Sequence, residues 1–174
     1  MTAFAFTLSE RLGWKVTVIV EYAARLLPRA QRGKLVALRE VGPHVMVKRA
    51  ESEPDLYAQA IAQGVDLVAE YPQGTVALIG PDPRKLIAVL RRQQAVVTDV
   101  KRHFWRLPSG ASFAVLAPTE ARGLEFDGVV VVEPDAFPDD RLGNGTLYTS
   151  LTRANRELRV VHFSRLPEPL RKAR

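Results

Sequence analysis

Short, nearly continuous apolar runs alternate along the chain with stretches whose apolar positions recur every three or four residues. The runs are Val45 to Lys48, Thr75 to Ile79, Ala95 to Val100, a strand opening at Phe113, Val129 to Val132 and Leu158 to Val161. Runs of that length with few polar interruptions predict strands buried on both faces, as in parallel sheets. Helical spacing appears at Ile19, Ala23, Leu26 and Leu27, within Thr17 to Leu27, and Pro28 ends it. A second helix follows Ser52, an N-cap with Asp55 three residues on, and presents Tyr57, Ile61, Val65 and Val68 along one face down to Glu70. A third is predicted from the Asp82-Pro83 start, through Leu86, Ile87, Val89 and Leu90, to Arg91 and Arg92. Thr75 to Val100 thus reads as a strand, helix, strand unit with a right-handed crossover. The alternation predicts an α/β domain, mostly parallel, with helices on both faces of the sheet.

Between Phe113 and Phe163 the pattern is strand, polar signature, strand, acidic loop, polar signature, strand. The first signature, Ala121 to Phe126, reads Ala-Arg-Gly-Leu-Glu-Phe; the second, Leu147 to Ala154, reads Leu-Tyr-Thr-Ser-Leu-Thr-Arg-Ala. Gly123 permits a close backbone approach or an unusual dihedral. Glu125 is a carboxylate at the mouth of a strand, suited to accepting hydrogen bonds from ribose hydroxyls. Arg153 ends a short helix begun after Gly145. A glycine beside a carboxylate and an arginine on a short helix, both at the ends of buried strands, suit a phosphorylated ligand. Two plainer readings stand beside this one: Glu125 pairing with Arg122, and Arg153 pairing with Glu157 at helical spacing.

Both signatures, in this order and each followed by a strand, resemble motifs V (121–126) and VI (147–154) of superfamily 1 helicases of the UvrD, Rep and PcrA kind. Ala-Pro-Thr-Glu before the first and Val-Val-Val-Val-Glu-Pro after it are closest in wording to the HelD-like branch, which recycles RNA polymerase. The resemblance implies a three-layer RecA-like fold and the second motor domain, 2A, over residues 1–165, with 166–174 a frayed basic tail. It implies that Arg153 is the arginine finger and that Tyr148 and Thr152 help to position it. Glu125 then contacts the ribose, Gly123 lies near the phosphates, and Arg122 stands where the UvrD type has Lys. Thr119 stands where the UvrD type has a His near the nucleic acid strand. The Asn-Tyr-Arg of motif IV is missing from Glu10 to Lys15, where Arg11 or Lys15 is the available substitute or an ordinary surface cation.

The sequence contains no Gly-x-x-x-x-Gly-Lys-Ser/Thr; Gly33-Lys34-Leu35 lacks both the upstream glycine and the hydroxyl. Nothing here cradles a β-phosphate or holds Mg²⁺, so ATP with Mg²⁺ is expected only with a separate first RecA-like domain carrying that loop. Alone, the chain is expected not to hydrolyse ATP.

Composition changes this picture little. Lys and Arg total 25 against 19 acidic residues, a formal charge of +6 in 174 residues, which agrees with an anionic partner such as DNA and equally with a solvated basic surface. Arg29 to Arg39 is basic but carries no aromatic side chain to stack on bases, so a solvated loop is the reading there. Lys101, Arg102 and Trp105 combine charge with an aromatic ring and are candidates for holding single strands; the alternative tucks Trp105 into the core at a hairpin. Leu107 to Gly110 is the turn that follows. Glu133, Asp135, Asp139 and Asp140 lack the Asp-x-Asp-x-Asp-Gly pattern and read as a solvated loop, so no metal site is expected. His162 reads as a satisfied core residue. With no cysteine, no membrane-length apolar run and no secretory leader, a cytoplasmic location is expected.

Overall fold

Ser52 begins the longest helix as expected: its hydroxyl accepts from the Asp55 backbone N–H at 3.2 Å, while the Asp55 carboxylate accepts from Glu51 N–H at 2.9 Å. Helix α1, Glu53–Glu70, buries Leu56, Ala60, Ile61, Leu67 and Val68. Each large apolar side chain so buried contributes about 1.5–3 kcal/mol, which outweighs the propensity of any single residue. Asp82 caps helix α2, Pro83–Arg92, by accepting from Arg84 N–H at 3.2 Å, and the helix buries Leu86 and Leu90. The computed structural model describes residues 19, 21–27, 45–92, 97–99, 104–138 and 145–171. The expectations for Arg11, Lys15, Arg29 to Arg39, Lys101, Arg102, Asp139, Asp140 and residues 172–174 lie outside the described residues.

Among the described residues, seven strands form one sheet in the order β1-β7-β6-β2-β5-β4-β3. They are β1 (Met46–Arg49), β2 (Val76–Ile79), β3 (Val97–Asp99), β4 (Phe104–Arg106), β5 (Ser112–Leu116), β6 (Phe126–Val132) and β7 (Ala154–His162). The five strands from β1 to β5 in that order run parallel, and β4 and β3 complete the other edge antiparallel. Strand β2, helix α2 and strand β3 follow in sequence as expected, and β3 runs in the same direction as β2. The two are nevertheless not neighbours, because the chain returns through β4 and β5 and these fill the intervening places.

Side chains alternate between two cores. Ala77 and Ile79, Ala114 and Leu116, Val129 and Val131, and Leu158 and Val160 face a layer containing Ile19, Tyr22, Ala23, Leu26, Leu147 and Leu151. Val76 and Leu78, Phe113 and Val115, Val130 and Val132 face α1 and α2. The result is a three-layer α/β domain, as the alternating pattern predicted. Helix α1 lies so close to the sheet that a Cβ on Gly64 would meet Leu78 Cδ1 at 2.6 Å. Among the described residues, no helix is long and apolar enough to cross a membrane.

The expected fraying from Leu166 onward is corrected over residues 166–171. Pro167 caps a single 3₁₀ turn, Glu168–Leu170, which contains Pro169, and Leu170 is 1% exposed in the same core as Leu147 and Leu158. One buried leucine anchors the segment, which its proline and charge content concealed.

Tyr22 offers a test of the first core. Among the described residues its buried hydroxyl has no hydrogen-bond partner, and burial pushes its pKa up to about 12 despite the opposing charge of Arg25. The unfolded chain therefore ionises first. The stabilisation is fully present below pH 10 and is lost as pH rises to about 12, by about 2–3 kcal/mol. We expect Tyr22→Phe to shift the alkaline unfolding midpoint upward, followed by circular dichroism; an unchanged midpoint contradicts the burial.

Candidate functional site

Both signatures enter the sheet at the amino-terminal ends of neighbouring parallel strands. Helix α3, Gly145–Leu151, buries Leu147 and Leu151, and this seats it on the sheet. The Thr152 hydroxyl then donates back to Tyr148 O and Thr149 O, both at 3.0 Å, and closes the last turn. Arg153 follows. Its Nε donates to Thr149 O at 3.0 Å, its Nη1 donates to Leu124 O at 3.1 Å, and its carbonyl accepts from Phe126 N–H at 2.9 Å. The second signature is thereby stitched to the first. Two of the five guanidinium N–H groups are used in this way, so three remain for an acceptor among the described residues.

The first signature turns outward from buried Ala121. Leu124 N–H donates to Ala121 O at 3.2 Å, and Arg122, Gly123, Leu124 and Glu125 are all exposed. Gly123 has φ 75°, and a Cβ there would meet none of the described residues within 4 Å. The dihedral, not a close approach within the domain, is what calls for glycine. Arg122 and Glu125 form no ion pair among the described residues, so the pairing that the sequence left open is not observed. Nor does Arg153 pair with Glu157. Helix α3 ends at Leu151, so helical spacing no longer applies, and Glu157 lies on β7, where it accepts from Arg159 Nε at 2.7 Å and from the Tyr71 hydroxyl at 3.2 Å. Half-buried Tyr148 lies close enough to Arg153 to feel its charge: burial raises its hydroxyl pKa, and Arg153 pulls the other way. Glu125, Gly123, Arg122, Tyr148, Thr152 and Arg153 therefore share one edge. That edge combines a carboxylate able to accept from hydroxyls with a guanidinium able to donate to an anion.

Thr119 lies in the connection between β5 and β6, three residues before Arg122. It follows the carboxyl end of β5, where Ala117 N–H donates to the Glu120 carboxylate at 2.6 Å. Leu116 is level with Ile79, and Ile79 with Val131, five residues beyond Phe126 along β6. That places Leu116, the end of β5, roughly 16 Å from the signatures' end of the sheet, and residues 117–125 bridge the distance. Trp105 is corrected as a nucleic acid contact. It is 1% exposed, inside the core beneath α1 and α2, so its ring offers no face to a base. Phe104, next to it on β4, is 36% exposed instead, because successive side chains of a strand point to opposite faces. In a Trp14→Phe variant, we expect the remaining Trp105 fluorescence to be blue-shifted and unchanged on adding single-stranded oligonucleotide. Quenching by the oligonucleotide would restore Trp105 to the interface.

Glu133 is also corrected, from a solvated loop residue to a clamp. At φ 51° its carboxylate accepts from Phe163 N–H at 2.8 Å and Ser164 N–H at 3.2 Å, which ties the ends of β6 and β7 together. His162 is buried as expected, with Nδ1 2.7 Å from Ser164 O. Among the described residues, no group of acidic or histidine side chains could hold a metal ion.

The sequence reading missed Arg159, hidden within an apolar run. It is 4% exposed, and its guanidinium donates to Gln63 at 3.1 Å, Glu70 at 2.6 Å and Glu157 at 2.7 Å, with Asp66 at 3.7 Å. Burial opposes its charge, but Glu157 and Glu70 outweigh that and hold its pKa above the ordinary value. The available signal was Gln63, Asp66 and Glu70 recurring at helical spacing on α1.

A three-layer domain with a mostly parallel sheet and two polar loops meeting at one edge is RecA-like in construction. Residues 119–161, which span both signatures, strand β6 and all but the last residue of β7, match the family model of the UvrD-like helicase C-terminal domain. The fold is similar to the crystal structure of the C-terminal domain of a possible DNA helicase from Lactobacillus plantarum WCFS1. The TM-score is 0.65 at 24% identity, over 87% of this chain and 88% of that one. No curated protein matches. Residues 119–161 thus resemble the UvrD-like helicase C-terminal domain, and the fold as a whole resembles that of the Lactobacillus plantarum domain.

Proposed function

We propose that this chain is the 2A motor domain of an ATP-dependent DNA helicase or translocase, supplying the arginine finger and the ribose contact to a nucleotide site completed by a separate first RecA-like domain. The observation that carries the reading is Arg153, held by Thr149 and Leu124 at the edge that also presents Glu125, with three N–H groups left to donate. ATP with Mg²⁺ is the substrate of the joint site, and its γ-phosphoryl transfer spreads charge over oxygens that a fixed guanidinium stabilises. Glu125 accepts from the ribose, Gly123 and Arg122 lie toward the phosphates, and Tyr148 and Thr152 fix the turn that carries Arg153. Lys101, Arg102 and Thr119 remain the proposed contacts to DNA.

The Ala-Pro-Thr-Glu and Val-Val-Val-Val-Glu-Pro wording supports a HelD-like version of the same motor, in which ATP turnover displaces RNA polymerase. The test is to mix the chain with a separately made first RecA-like domain from the same genome, with and without single-stranded DNA. Stimulated magnesium-dependent ATP turnover, absent from either part alone, is the expected result. No stimulation with a folded chain, together with salt-sensitive nucleic acid binding unaffected by Arg153→Ala, replaces the motor with a non-catalytic nucleic-acid- or polymerase-binding module.

A further inference from the structure

Strands β6 and β7 do not pair evenly beyond the signatures. Phe126 is opposite Ala154 and Gly128 is opposite Glu157, so two steps along β6 span three along β7. An extra residue of this kind bends the strand and re-aims what precedes it. What precedes it on β7 is Arg153, and what precedes it on β6 is Glu125.

Asp127 occupies this irregularity. Its carboxylate accepts from Thr75 N–H at 2.8 Å and from the Thr75 hydroxyl at 3.3 Å, and its own N–H lies 3.3 Å from that hydroxyl oxygen. On the other side it pairs with Arg156 Nε at 3.2 Å, and Arg156 lies over the Tyr71 ring at 5.6 Å. Gly74 makes room for the carboxylate: a Cβ there would meet Asp127 Oδ2 at 2.8 Å. One side chain thus joins the entry of β2, the first signature's strand and the second signature's strand. The Arg156 side chain is 59% exposed, and such pairs stabilise a fold by about 1 kcal/mol or less. Stability alone gives little reason for the arrangement.

We propose that Asp127, with Arg156, is a positioning residue that sets the offset between the two signature loops and hence the placing of Arg153 relative to Glu125. This rests on the reading of Arg153 as the finger. The offset is transmitted through the Phe126 N–H to Arg153 O rung, next to Asp127, and the Arg153 Nη1 to Leu124 O bond beyond it.

The test uses the full chain in two measurements. The first is the NMR resonance of the Arg153 Nε–H group, identified by its loss in Arg153→Lys. Asp127→Ala and Arg156→Ala are expected to shift it and to speed its solvent exchange about tenfold, while Arg156→Lys leaves it near its original place. Asp127→Asn, which keeps the shape but not the charge, is the variant to use if Asp127→Ala fails to fold, and a smaller shift in the same direction is expected. The second measurement is ATP turnover on mixing with the first RecA-like domain. There Asp127→Ala is expected to lower kcat by about a hundredfold with little change in KM, since small misplacements of a reacting group have effects of that order. An unmoved Arg153 resonance in a folded Asp127 variant overturns the positioning role. If the unaltered chain gives no turnover, the motor reading fails, and the resonance still decides whether Asp127 positions Arg153.

Discussion

On the proposed finger role, Arg153→Ala is expected to lower the kcat of ATP turnover on mixing with a first RecA-like domain by about 10³- to 10⁵-fold. The magnitude follows from what is removed: a charged group pre-aimed at oxygens whose charge is spread in the transition state, with its orientation already fixed by Thr149 O and Leu124 O. Losing those two backbone contacts is expected to lower stability by only about 1–3 kcal/mol. Thermal melting therefore separates loss of chemistry from loss of fold. Arg153→Lys keeps the charge but not the planar fork, and it cannot bond Thr149 O and an acceptor in the same geometry, so it is expected to recover a small part of the rate. Turnover within a factor of two of the unaltered chain in a folded Arg153→Ala variant would remove the finger from the reading.

The largest stability effect belongs to a residue outside the signatures. Arg159→Met is expected to destabilise the fold by about 3 kcal/mol, because it strips Glu157, Glu70 and buried Gln63 of a common donor while keeping a side chain of similar length. The low end of the range for broken buried pairs applies, since Glu70 and Asp66 are each about half exposed and water can solvate them. For a domain of this size the melting temperature should fall by about 6–12 °C. The exposed Arg156→Ala serves as the comparison and should move it by less than a third of that. Equal shifts in the two variants would mean that the Arg159 network contributes no more than a surface pair.

The architecture was legible in the sequence because it rests on local patterns. Ser52 with Asp55 starts a helix wherever it stands, Asp82-Pro83 starts another, and apolar runs such as 129–132 and 158–161 can only be strands buried on both faces. The two signatures were legible for the same reason, as compact wordings each followed by such a strand. Trp105 illustrates the limit. Its neighbours in sequence are charged and aromatic, and only the strand's alternation and the position of β4 under α2 decide that the indole points inward while Phe104 points out. Arg159 and Glu133 show the same thing from the other side. An arginine in an apolar run is placed by partners 89 and 96 residues away on α1, and the Glu133 carboxylate by backbone groups 30 residues on. Strand order belongs to this class too, since β2 and β3 are separated by strands that come later in the chain. Sequence by itself determined most of the elements, the caps at Ser52 and Asp82 and the identity of the chemical groups at 121–126 and 147–154; the short strand β4 was not among the runs it marked. Only the tertiary structure decided which charges are buried, which end of the sheet the signatures share and what stitches them together, because those outcomes depend on contacts between segments far apart in the chain.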